Sequence, residues 1–180
     1  MKIIFLDFDG VINNWNKFDG IDEANVINLK EIIHATSAKI VVTSSKKYSF
    51  QKNIDVIDYK ETQCYNEYVK PLNNLGVEIY DFTPYVNGNR EEEIIKYLSE
   101  HSEITDYLIL DDDYVFENLK DHEVFVDLYK GICSEHVLPS INILNGNLGF
   151  YPVNFINYES EKEKCKRINE YYNKKRKESK

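Results

Sequence analysis

Three short apolar runs in this chain each end in side chains suited to holding charge. Ile3-Ile4-Phe5-Leu6 runs into Asp7 and Asp9, Ala38-Lys39-Ile40-Val41-Val42 into Thr43, Ser44 and Ser45, and Tyr107-Leu108-Ile109-Leu110 into Asp111, Asp112 and Asp113. Runs this short and this apolar read as strands covered on both faces. The segments between them switch to helical periodicity. Asp22 is placed to cap a helix with Val26, Leu29, Ile32 and Ile33 on one side, and Arg90 opens another with Ile94, Ile95 and Leu98 turned inward. Strands alternating with helices predict an α/β fold, a three-layer α/β/α sandwich around a mostly parallel sheet. Such sheets bind ligands at the carboxyl ends of their strands, near the point where strand order reverses. Asp7, Thr43 and Asp111 are therefore expected along one edge.

The middle of the chain is less regular. A helix is expected from about Glu61 to Leu75, stopped near Gly76, then a strand Val77-Glu78-Ile79-Tyr80 and a turn around Pro84 and Gly88; Tyr48 to Tyr59 carries no assignable pattern. A last strand, Val124-Phe125-Val126, leads through Gly131 to a helix from about Ser134 to Leu144. With 180 residues, 42% of them hydrophobic, the chain suits one domain with a full core.

Composition also excludes several classes. Cys64, Cys133 and Cys165 are odd in number and lack metal-ligand spacing, which speaks against a disulfide framework or structural zinc. No apolar stretch approaches the roughly 20 residues that span a bilayer, and Asp7 and Asp9 interrupt the only early apolar run, so a cytoplasmic protein is expected, with no membrane and no obligate protein partner. Net charge is −9, yet residues 161–180 hold nine Lys or Arg and four Glu, leaving the preceding body at −14. An acidic body of this kind argues against broad nonspecific nucleic-acid binding. The basic run Lys174-Lys175-Arg176-Lys177 reads as a solvated or frayed terminal helix.

Two carboxylates at a buried strand end are costly unless a cation or a reaction uses them. Asp7, Asp9 and Asp112 form a hard, all-oxygen donor set that suits magnesium. With a phosphoryl group present, Asp7 can act as nucleophile, and Asp9, two residues on, as the acid that protonates the leaving oxygen and later activates water. The hydroxyl of Thr43, or of its neighbour Ser44, can hold a phosphoryl oxygen. Arg90 can supply the positive charge, in competition with Lys46, Lys47 and Lys70.

Phe5-Leu6-Asp7-Phe8-Asp9-Gly10-Val11, Val42-Thr43-Ser44, Arg90 and Leu110-Asp111-Asp112 resemble, in order, the four motifs of the haloacid dehalogenase (HAD) superfamily of phosphohydrolases. The resemblance implies a Rossmann-like HAD fold over residues 1–145, with 146–180 as a C-terminal extension. It implies Asp7 as nucleophile and metal ligand, Asp9 as general acid/base, Thr43 as phosphate binder and Arg90 as the basic third-motif residue. Asp111 and Asp112 become the acidic pair supporting Mg2+. Thr36 to Ser45, Arg90 to Ile94 and Leu108 to Asp113 are similar to the small HAD domains of bacterial Swiss Army Knife RNA repair proteins. That likeness suggests phosphate ends on RNA, or a nucleotide, as substrate. The chain departs from those domains in carrying Lys46-Lys47 where they usually have a Trp-Arg pair.

The 33 residues from Gly10 to Val42 are used up by a loop and a helix, and the 46 from Ser44 to Asn89 must supply a helix and a strand, so any cap over the site is minimal. The expected activity is a Mg2+-dependent phosphatase working through an aspartyl-phosphate. Its alternatives are a noncatalytic phosphate- or RNA-end-binding module and a phosphotransferase. Tyr65, Tyr68, Tyr80 and Tyr85 are read as packing residues before a base-stacking surface, Asp113 as a peripheral acid, and His34, His101, His122 and His136 as surface or helix-end residues.

Overall fold

In a computed structural model, which describes residues 1–14, 20–51, 58–113 and 116–148, five strands form one sheet in the order β3-β2-β1-β4-β5. They are β1 (Lys2–Leu6), β2 (Lys39–Val42), β3 (Ile79–Phe82), β4 (Asp106–Asp111) and β5 (Glu123–Phe125), and every pairing is parallel. The chain steps outward from β1 to β3, then returns to the other side of β1 for β4. The reversal of strand order therefore flanks β1, where ligand crevices form.

Alternation along β1 builds two cores. Ile4 and Leu6 join Val26, Leu29 and Ile32 of α1 (Glu23–Thr36) and Val137, Ile143 and Leu144 of α5 (Ser134–Leu144), whereas Ile3 and Phe5 face Ile94 and Tyr97 of α4 (Arg90–Glu100). Each such buried side chain contributes about 1.5–3 kcal/mol relative to exposure. This is the three-layer arrangement expected. Asp22 caps α1 by accepting from the Ala24 N–H at 2.9 Å. Residues 83–89 alone join β3 to α4, too few for a cap domain, and the longest connection, from β2 to β3, consists of short helical pieces where described.

The structure departs from the sequence reading where side chains serve unexpected neighbours. The strand expected at Val77 begins at Ile79, because Val77 closes the preceding helix α3 (Lys70–Asn74): its N–H bonds to the Leu72 carbonyl at 3.0 Å and that of Gly76, at φ +78°, to Asn73 at 2.9 Å. The expected helix over 61–75 divides into a 3-10 turn (Tyr59–Glu61), a π turn (Tyr65–Val69) and α3. Pro71 has no N–H for the turn behind it, which disfavours regular α geometry there. Ile95 is 43% exposed rather than buried, since Glu93 takes the inward position on α4. His136 is buried, with Nδ1 accepting from the Cys133 N–H at 2.9 Å.

The segment left unassigned in sequence contains α2 (Tyr48–Gln51). Cys165 and the basic run 174–177 lie outside the described residues. Among the described residues no helix is long and apolar enough to cross a membrane.

Candidate active site

Parallel registry brings the strand ends together. The Asp7 N–H bonds to the Leu110 carbonyl at 3.0 Å, that of Thr43 to Leu6 at 2.9 Å, and that of Thr83 to Val42 at 3.0 Å. Asp7, Thr43 and Asp111 thus stand side by side, as their positions in sequence predict. Asp7 and Asp111 are buried, and Arg90, at the first turn of α4, reaches between them: Nη1 lies 2.8 Å from Asp7 Oδ2 and also pairs with Asp111 Oδ2. Lys46 pairs with Asp9 and Lys47 with Glu93, while Arg90 pairs with Asp7.

The chain turns sharply after β1. Val11 and Ile12 both donate to the Phe8 carbonyl, at 3.2 and 3.0 Å, closing one helical turn that sets Asp9 past the strand end. Gly10 makes the turn possible. Its φ is +76°, and a Cβ there would overlap the Asp112 carboxylate and press on Leu128. With that space open, oxygens of Asp7, Asp111 and Asp112 lie within 4.8 Å of one another. Burial pushes the Asp111 carboxyl up, against the pull of Arg90. Arg90 itself is desolvated, yet Asp7 and Asp111 hold its pKa above the ordinary value.

This donor set fits a hard divalent cation. It offers only oxygen ligands, and three carboxylates against one guanidinium leave negative charge to be neutralised. A second observation concerns the substrate. The Thr43 hydroxyl is buried with no hydrogen-bond partner among the described residues, an expense that a bound phosphoryl oxygen would remove. Ser44 instead caps the short turn that follows, accepting from the Lys46 N–H at 3.5 Å.

Asp9 stands apart from the three clustered carboxylates. Its Oδ1 accepts from the Tyr68 hydroxyl at 2.7 Å and from Asn13 Nδ2 at 3.2 Å, and its Oδ2 pairs with Lys46 Nζ at 3.1 Å. Tyr68 and Asn13 were not singled out for the site from sequence. Asn13 lies four residues from Asp9 and could have been found from the tight Asp-Gly turn; Tyr68 is 59 residues away with no local signal. Behind Thr43, Lys47 is fully buried, with Nζ donating to the Thr43 carbonyl at 3.1 Å and to Glu93 Oε2 at 2.7 Å. Burial lowers the Lys47 pKa, opposed by Glu93. Glu93 Oε1 also accepts from the Tyr48 hydroxyl at 2.8 Å, tying the Thr43 loop to α4.

Comparison with known families decides the affiliation. The family described as the HAD domain in Swiss Army Knife RNA repair proteins matches residues 3–137, a span that takes in Asp7, Asp9, Thr43, Arg90, Asp111 and Asp112. The chain belongs to this HAD family. No curated protein and no solved structure gives a significant match. Membership accounts for the five-stranded parallel sheet of this HAD domain and makes it, in general terms, of the HAD hydrolase type. A second group of metal-capable side chains, Cys133, Glu135 and His136, sits at the start of α5, outside the HAD motifs. There the Nδ1 lone pair of His136 already accepts the Cys133 N–H, so the group serves as a helix cap.

Proposed function

We propose that this HAD domain is a Mg2+-dependent phosphomonoesterase that works through an aspartyl-phosphate on Asp7. The observation that carries the reading is the grouping of Asp7 with Arg90 and two further carboxylates beside the orphaned Thr43 hydroxyl. Asp7, Asp111 and Asp112 are the residues that would hold Mg2+, which when bound neutralises charge on the phosphoryl oxygens and lets an anionic nucleophile approach.

The chain's own residues account for the rest. Thr43 donates to a phosphoryl oxygen, and Arg90 orients Asp7 and offsets negative charge in the transition state. A carboxylate oxygen of Asp7 forms a bond to phosphorus while the bond from phosphorus to the ester oxygen breaks. Asp9 gives that departing oxygen its proton. Asp9 then takes a proton from water as the water oxygen attacks phosphorus, the Asp7–phosphoryl bond breaks, and inorganic phosphate leaves. The side-chain partners of Asp9 favour giving it this proton-transfer role rather than metal ligation.

The substrate we propose is a phosphate end on nucleic acid, RNA first. Two things support this: the family's place in RNA repair proteins, and connections that, among the described residues, form no cap domain over the strand ends. The test is a panel of 3′- and 5′-phosphorylated RNA and DNA, nucleotides, sugar phosphates and phosphopeptides, with Asp7→Asn and EDTA as controls. Metal-dependent release of phosphate, best from polynucleotide ends, supports the reading. Strict preference for a small metabolite removes the substrate assignment, and activity unchanged in EDTA removes the role of the metal.

A further inference from the structure

Asp9 is gripped unequally at its two oxygens. Oδ1 takes two hydrogen bonds from donors that are themselves fixed. Tyr68, one of them, is 1% exposed, and its ring lies parallel to that of Phe8, with centroids 4.8 Å apart and an interplanar angle of 6°. Phe8 joins Asp7 to Asp9, so Tyr68 packs on the link between the two carboxylates and bonds to the second. Asn13, the other donor, is anchored in turn: its Oδ1 accepts from the Gly10 N–H at 2.7 Å and its amide also donates to the Gly20 carbonyl at 3.1 Å. Oδ2 has a different neighbour. Lys46 is a long side chain, 27% exposed, on an oxygen of a carboxylate that is itself 24% exposed.

We propose that Tyr68 is a positioning residue for proton transfer: its hydroxyl fixes Oδ1 of Asp9 as an acceptor, so that Oδ2 is the oxygen that gives the proton to the leaving group. A phenylalanine would fill the same space against Phe8, so packing does not explain the hydroxyl. Oδ1 is held by two fixed donors, and Oδ2 by the partly exposed Lys46. Of the two contacts, the one on Oδ2 comes from a long, partly exposed lysine stem, and the one on Oδ1 from a buried ring. The π turn Tyr65–Val69 is what aims the tyrosine, and such turns recur at functional sites. This assignment rests on the phosphatase reading above.

The test separates positioning from packing through the leaving group. Departure of an alkoxide needs a well-placed acid, whereas nitrophenolate leaves with little help, and kcat/KM reports the step in which that bond breaks. In Tyr68→Phe, the ratio of kcat/KM for an alkyl phosphate to that for p-nitrophenyl phosphate falls roughly tenfold, and in an Asp9→Asn background the same change produces no further fall. Replacing Tyr68 by a monofluorinated tyrosine, which nearly keeps the shape and strengthens the donor, leaves the ratio at or above the wild-type value. Equal loss on both esters in Tyr68→Phe, or an unchanged ratio there, overturns the assignment while Asp7-dependent turnover still stands. Absence of any Asp7-dependent turnover in the wild-type protein overturns the phosphatase reading and this assignment with it.

Discussion

Arg90 Nη1 lies 2.8 Å from Asp7 Oδ2, and the same nitrogen pairs with Asp111, so one guanidinium ties the end of β1 to the end of β4. Removing it leaves two buried carboxylates without their cation. Arg90→Met should lower stability by about 3–5 kcal/mol, the usual consequence of breaking a buried pair from one side. It should also cut kcat/KM on an aryl phosphate by about 10²–10³. Arg90→Lys recovers part of the stability through its charge and less of the activity, because its ammonium sits on a stem one atom shorter than the one that carries Nη1 to Asp7 and Asp111. Urea unfolding and steady-state kinetics on the three proteins check both.

Thr43 should separate stability from binding. Its hydroxyl is buried without a partner, so Thr43→Val removes an unsatisfied group at nearly constant volume. Unfolding free energy should stay level or rise by about 1 kcal/mol. Binding of inorganic phosphate, measured by calorimetry with Mg2+ present, should weaken. A large loss of stability would mean that the hydroxyl has a structural partner.

Gly10→Ala tests the space beside Asp112. A side chain at φ +76° costs about 1–2 kcal/mol, and its methyl would occupy the place of the Asp112 carboxylate. The expected result is a variant that folds with a lower Tm and needs more Mg2+ for half-maximal activity. A Mg2+ titration of turnover reads this directly.

Glu123 opens β5 with its side chain buried. Oε2 accepts from the Phe116 N–H at 3.1 Å and Oε1 has no partner among the described residues. Burial pushes its carboxyl up to about 8, the Phe116 N–H opposing and the charges of Asp111 and Glu91 adding to the rise. From the ordinary glutamate pKa near 4.5 up to about 8, the folded protein keeps a proton that the unfolded chain has lost. Stability from this group therefore falls as pH rises through that window, by about 1.4 kcal/mol for each pKa unit. Glu123→Gln should flatten this part of the Tm-against-pH curve and melt above wild type at pH 8 and beyond.

Most of the frame was legible because its signals are local. β1, β2 and β4 are apolar runs that need both faces covered, and their polar ends fall at equal depth once parallel pairing sets the register. Asp7, Thr43 and Asp111 stand at those ends for this reason, whereas Arg90 opens α4 and was reached through the resemblance. What escaped was set by contacts distant in sequence. Ile95 looked like a core residue until Lys47, 46 residues from Glu93, drew that glutamate inward. Tyr68 looked like one aromatic among many, since nothing near it in sequence points to Asp9. The start of β3 was misplaced by two residues because Val77 is apolar enough for a strand and also fits the closing turn of α3.

The central claim is that Asp7 becomes phosphorylated, and the most direct measurement is acid quenching during turnover of p-nitrophenyl phosphate with Mg2+, followed by peptide mapping by mass spectrometry. The account expects one phosphoryl group on the peptide that carries Asp7 in the wild-type protein, and neither adduct nor turnover in Asp7→Asn. Full turnover by Asp7→Asn, or a phosphoryl group found on another residue, would contradict it.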